Sequence, residues 1–152
     1  MPFRDPLKLV IDTSSFIMDF SPPSDHAPKG AITVSVCTVC KSADGGAPTG
    51  PALVEALREA IGDIAQIRPV QCLGVCKRQA TVAVTSADGY TFLFGDLVQE
   101  TGTPALASFV QSYRLSNYGL VPWRERADVL RKGMVARIPP LHWSPDDGRA
   151  PT

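Results

Sequence analysis

Neither sign of charge prevails in this chain: 15 Lys and Arg stand against 15 Asp and Glu in 152 residues. No whole-molecule field therefore draws it to nucleic acid or anionic lipid. It has no run of eighteen or more apolar residues, and its first fifteen residues lack the charged, apolar, small order of a secretory signal. These absences predict a cytoplasmic protein with neither a nucleic-acid nor a membrane partner. A phosphate-binding glycine loop, a nucleophile elbow and an acid pair spaced for hydrolysis are missing too, so no enzyme active site is expected. Histidine is scarce: His26 and His142 lie near prolines, far in sequence from any cysteine, and are expected to be solvated.

What is present suffices for one core, since 44% of the residues are hydrophobic. Of 14 prolines, five fall in residues 1–29 and four in 138–152, where they remove backbone donors and fix φ, so both ends read as tails. Residues 7–20 are mildly apolar, a segment able to dock on the body as a strand or short helix. The body begins at Ala31. Ile32, Val34 and Val36 alternate with Thr33 and Ser35 up to Cys37, predicting a strand. Pro51 suits a first helical turn, and Leu53, Ala56, Leu57, Ala60 and Ile61 form an apolar stripe ending near Gly62. Ile67 and Val70 predict a second strand running into Cys72. Residues 81–85 and 90–94, joined by Asp88-Gly89, predict a hairpin. Pro104 is expected to open a second helix with Ala105, Leu106, Phe109, Val110 and Tyr113 inward. The order β-α-β-β-β-α predicts an α/β domain, helices packed on a four-stranded mixed sheet.

The four cysteines form two close pairs, Cys37 with Cys40 and Cys72 with Cys76. Disulfides are rare in a reducing cytoplasm, so this spacing points to metal or redox chemistry. With strands one and two parallel and neighbours or nearly so, their C-terminal ends share one edge of the sheet, and all four thiols are expected to converge there. Three chemistries compete. One Zn²⁺ accepts four thiolates, although zinc ribbons usually set their pairs in knuckles of much smaller domains. A redox dithiol would use Cys37 and Cys40 at a helix start, but the glycine-rich stretch 45–50 opposes a helix there and leaves Cys72 and Cys76 without a role. A [2Fe-2S] cluster uses all four, two per iron, with Gly74 admitting backbone close to sulfur and Lys77 and Arg78 supplying positive charge.

The run 70–76, Val-Gln-Cys-Leu-Gly-Val-Cys, with the strands after it, resembles the second half of thioredoxin-like [2Fe-2S] ferredoxins and of one subunit of respiratory complex I, whose cluster loop reads Cys-Leu-Gly-x-Cys. The resemblance spans roughly residues 31–113. A family of small predicted metal-binding proteins, often encoded near cobalamin-biosynthesis genes, is closer: it shares Cys-Thr-x-Cys, Cys-Leu-Gly-x-Cys and a Pro-Trp-Arg-Glu-Arg block, here Pro122 to Arg126, and its pattern reaches about Pro140. One departure is the Cys37–Cys40 spacing, tighter than the usual first pair of such ferredoxins, which keeps zinc open.

The resemblance implies a thioredoxin-like ferredoxin domain at 30–114, after an N-terminal tail at 1–29 and before a basic C-terminal extension and tail at 115–152. It implies that Cys37, Cys40, Cys72 and Cys76 ligate one [2Fe-2S] cluster that carries single electrons, in cobalamin or metal metabolism; the alternative is a non-redox zinc-binding or metal-delivery module on the same cysteines. Residues 114–137 hold six basic residues against Glu125 and Asp128, a patch suited to an acidic redox partner. A homodimer is left open. Trp123 and Leu130 are expected to anchor the extension, and Tyr118 and Trp143 to pack.

Overall fold

The computed structural model describes residues 30–141. Its order is β1 (Thr33–Cys37), α1 (Gly50–Ile61), β2 (Gln66–Val70), β3 (Val82–Thr85), β4 (Thr91–Phe94), α2 (Gln99–Leu115), α3 (Asp128–Lys132) and β5 (Met134–Ile138), with short 3-10 turns at Gly62–Ile64, Asn117–Gly119 and Trp123–Glu125. The strands form one mixed sheet in the order β2-β1-β3-β4-β5. β1 and β2 are parallel, and the other pairings are antiparallel.

The α/β class and the predicted elements are present, with one correction to the sheet: it has five strands rather than four. The fifth, β5, comes from the basic segment after residue 114 and pairs with β4. It lacks a clear alternation because it is an edge strand in which no residue is fully buried. Two boundaries also move. β2 ends at Val70, so Cys72 lies two residues beyond the strand. α2 begins at Gln99, five residues before Pro104. The proline forfeits a bond to the carbonyl of Glu100, which water can satisfy because that residue is exposed.

Along β1, Val34 and Val36 are fully buried. In register with them lie Val84 and Val82, then Phe92 and Phe94, so this face of the sheet is continuous and apolar. α1 brings Leu53, Val54, Leu57 and Ile61 to the core; Val54 joins the stripe, and Ala60 is exposed. α2 contributes Ala105, Leu106, Phe109, Val110 and Tyr113. Phe109 meets Phe92 and Phe94 edge-on with ring centroids 5.1 Å apart in each case. In the edge strand β2, Gln66 donates to Ile32 and Val70 accepts from Thr38. By the alternation of a parallel ladder, Pro69 then sits in the phase turned away from β1, where its missing N–H costs no bond.

Tyr113 closes the core at the far end of α2. Its hydroxyl donates to the Tyr90 carbonyl at 2.7 Å and accepts from Ser86 at 2.9 Å. Burial pushes its pKa up to about 12, against the opposing effect of Ser86. A folded-state pKa above the unfolded value of about 10 means that this contribution is complete below pH 10 and lost as pH rises toward 12. Tyr113→Phe should cost about 1 to 2 kcal/mol at pH 7 by leaving the Tyr90 carbonyl unpaired. The gap between wild type and variant in urea unfolding should narrow between pH 10 and 12. A gap independent of pH would show that the hydroxyl is not sealed in the core.

The segment after α2 is held differently from expectation. Leu130 is fully buried, but Trp123 is 54% exposed, and the buried residue of its block is Arg126. His26, His142, Trp143 and residues 7–20 lie outside the described residues. No helix among the described residues is long and apolar enough to cross a membrane.

Candidate metal centre

Cys37 is the last residue of β1 and is paired in register with Val70, so the parallel strands deliver Cys37 and the 71–76 loop to the same edge. The join is tight. The Thr38 N–H and hydroxyl both donate to the Val70 carbonyl, at 2.9 and 3.0 Å, and the Cys37 N–H donates to Thr81 at 2.9 Å. Cys37 Sγ contacts the Gln71 carbonyl oxygen at 3.5 Å and receives the Leu73 N–H. It therefore touches the backbone on both sides of Cys72.

Within each pair the sulfurs are in contact: 2.9 Å for Cys37 and Cys40, and 3.7 Å for Cys72 and Cys76. The first doublet is buried and the second exposed. The doublets sense one another, since Cys76 raises the pKa of Cys40 and Cys37 that of Cys76. Burial opposes charge on Cys37, yet the hydrogen bond from Cys40 and the N–H groups of Val39, Cys40 and Leu73 lower its pKa. Burial, donation to Cys37 and the charge there push Cys40 up to about 11. Donation to Cys72 and the charge there raise Cys76. Each doublet thus shares protons that a bound cation would displace, so metal loading should release protons.

Gly74 adopts a φ of 79° and its N–H donates to Cys72 Sγ at 3.2 Å. A Cβ there would meet nothing within 4 Å, so the glycine is required for its left-handed backbone rather than for space. Gly50, at the start of α1, is required for space. A Cβ on it would stand 1.9 Å from the Cys37 carbonyl oxygen. The positive end of α1 thereby lies against the Cys37 turn, where it favours negative charge.

Two ligands on a tetrahedral centre, with metal–sulfur bonds of about 2.3 Å, stand about 3.8 Å apart. The Cys72–Cys76 separation matches that bite, and chelation by Cys37 and Cys40 would part their sulfurs by about 1 Å. Among the described residues no group of three or more His, Cys, Asp or Glu side chains is arranged to hold a metal ion. The donor set is two adjacent doublets rather than one tetrahedron. Four soft thiolates are a donor chemistry that iron-sulfur groups and zinc both accept.

Of the two cations expected beside the site, Lys77 is exposed, and Arg78 is committed elsewhere. Its Nε and Nη2 both lie 2.7 Å from Asp96 Oδ2, and Nη2 also donates to the Lys132 carbonyl at 3.2 Å. Arg78 thus ties the Cys72–Cys76 loop to the turn after β4 and to the end of α3, with Nη1 3.5 Å from the Met134 carbonyl at the start of β5. Gln79 was not legible as a site residue: its Oε1 accepts the Ala43 N–H at 2.8 Å, joining the loop after Cys40 to the segment after Cys76. These partners lie far apart in sequence and carry no motif.

A family model described as protein of unknown function (DUF1636) matches residues 34–140. No curated protein matches the chain.

Proposed function

The chain belongs to this DUF1636 family of proteins of unknown function, and from its paired thiols we propose that it is a small ferredoxin-like carrier of single electrons. Cys37 and Cys40 would hold one iron of a [2Fe-2S] group, and Cys72 and Cys76 the other. The group, when bound, supplies a one-electron couple at an edge of the sheet. The observation that carries the reading is the pairing itself: two sulfur doublets, each with its own contact, on adjoining loops. The likeness of the 70–76 loop to thioredoxin-like ferredoxins supports it and suggests that the fold is of that type.

The chain's residues would bind and insulate the group without making or breaking substrate bonds. Cys37 and Cys40 form the buried side, and Cys72 and Cys76 the solvent side through which a partner approaches. The partner would be an acidic redox protein, attracted by the basic residues of 114–137, in the cytoplasm and within cobalamin or metal metabolism. The second reading is a zinc-binding or metal-delivery module, which the 3.7 Å bite of Cys72 and Cys76 fits equally well. Protein purified without oxygen should contain about two iron and two acid-labile sulfide per chain, with visible absorbance that bleaches on one-electron reduction. A colourless protein with one zinc would overturn the carrier reading in favour of the module.

A further inference from the structure

A second concentration of charge lies apart from the thiols. Arg126 is only 7% exposed, and its guanidinium is fixed in place. Nε and Nη2 donate to the Val121 carbonyl at 3.0 and 2.8 Å. Its Cζ stands 5.1 Å from the Phe92 ring centroid and 5.5 Å from that of Trp123. Phe92 is also the ladder partner of Arg137 on β5, so both side chains leave the sheet on one face. Arg137 Cζ sits 5.4 Å over Tyr90, two residues before Phe92. Two guanidiniums therefore stand side by side on a row of aromatic rings.

Their charges reach each other: burial first, and then the charge of Arg137, lower the pKa of Arg126. Among the described residues neither has an opposing carboxylate, the ion pairs there engaging Arg58, Arg78, Arg131 and Lys132. A buried cation without a counter-charge is costly, and a second beside it adds to the cost. Ring faces and one carbonyl offset only part of this. Arg126 Nη1 has no protein partner among the described residues and, unlike Arg131 Nε, is not shut off from water. Arg137 and Trp123 are exposed.

We propose that Arg126 and Arg137 form a binding site for a dianionic oxyanion, of the phosphate type, with Trp123 as its aromatic wall. Two positive charges match a dianion, and guanidinium N–H groups meet tetrahedral oxygens in geometries that an ammonium does not offer, Arg126 through Nη1, since Val121 takes its Nε and Nη2, and Arg137 through its open fork. A monoanionic carboxylate would leave one charge unmatched. The phosphate can be free or borne by a larger molecule, and an aromatic ester would add stacking on Trp123.

The test uses the full chain with Trp143→Phe, which leaves Trp123 as its one tryptophan. Its fluorescence is titrated at constant ionic strength near pH 8, where phosphate carries about two charges. Inorganic phosphate should give a saturable change. Arg137→Gln, on an exposed residue, should weaken binding at least about ten-fold, and Arg114→Gln, outside the site, should stay within about two-fold. Tighter binding of phenyl phosphate than of phosphate would identify an ester as the ligand, and equal or weaker binding the free anion. A non-saturable response, equal weakening by both variants, or acetate binding as tightly as phosphate would each overturn the proposal. Cys72→Ser should leave the titration unchanged, so this result stands or falls apart from the metal content.

Discussion

Cys72→Ser and Cys40→Ser are each expected to remove nearly all iron and visible absorbance from the anaerobically prepared protein, while the fold survives. The equality of the two losses is the informative part. A metal-free dithiol carried by Cys37 and Cys40 predicts no iron to lose, and instead a disulfide-exchange activity that Cys40→Ser abolishes and Cys72→Ser leaves intact. A shared inorganic group needs a soft thiolate from every position, and a serine hydroxyl at physiological pH offers neither the charge nor the polarizability. Survival of the fold is expected because the apolar core cluster is built from β1, β3, β4 and the two long helices without either cysteine, Cys72 lying on an exposed loop and Cys40→Ser exchanging one atom at a buried turn. Iron and sulfide content with circular dichroism measures both halves of the expectation. Full iron retention in Cys72→Ser would remove the basis for four-cysteine ligation.

Gly50→Ala should produce the largest loss of stability from the addition of one methyl group. The added carbon would stand 1.9 Å from the Cys37 carbonyl oxygen, 2.9 Å from the Cys37 carbonyl carbon and 3.0 Å from Thr38 Cα. All three atoms are backbone, so no side chain can rotate aside, and either the helix or the Cys37 turn must move. The Cys37 turn is itself clamped to Val70 and Thr81. Overpacking of this kind costs about 3 kcal/mol, which should lower the melting temperature by roughly 10 °C. Because the strain falls on Cys37, the variant should also hold less iron under conditions where it remains folded. An unchanged melting temperature would mean that α1 is not seated on the Cys37 carbonyl.

Much of the body was legible because its elements have clean periods. Val34 and Val36 alternate on β1, the α2 stripe from Ala105 to Tyr113 recurs at helical spacing, and Asp88-Gly89 marks the hairpin. Parallel strands ending at one edge followed from the β-α-β order, and the structure makes them direct neighbours, so that Cys37 meets the 71–76 loop. β5 was missed because an edge strand has no buried face to write alternation into its residues. The earlier start of α2 was missed because Pro104 imitates a helix opening, whereas the first turn tolerates it through an exposed carbonyl. Trp123 was expected to anchor the extension. The structure buries Arg126 instead, its charge held by Val121 and two rings.

The sequence by itself determined the thiol count, the pairing by proximity along the chain and the β-α-β unit whose parallel strands end at one edge. Those follow from local spacing and the short reach of a β-α-β unit. Only the tertiary structure decided that one doublet is buried and the other exposed, that Gly50 must lack a side chain, that Arg78 braces the loop through Asp96, and that Arg126 and Arg137 share an aromatic row. Each depends on which residues far apart in the chain become neighbours, and in a single sequence nothing local records a long-range contact between a charge and a ring, or between a helix end and a carbonyl.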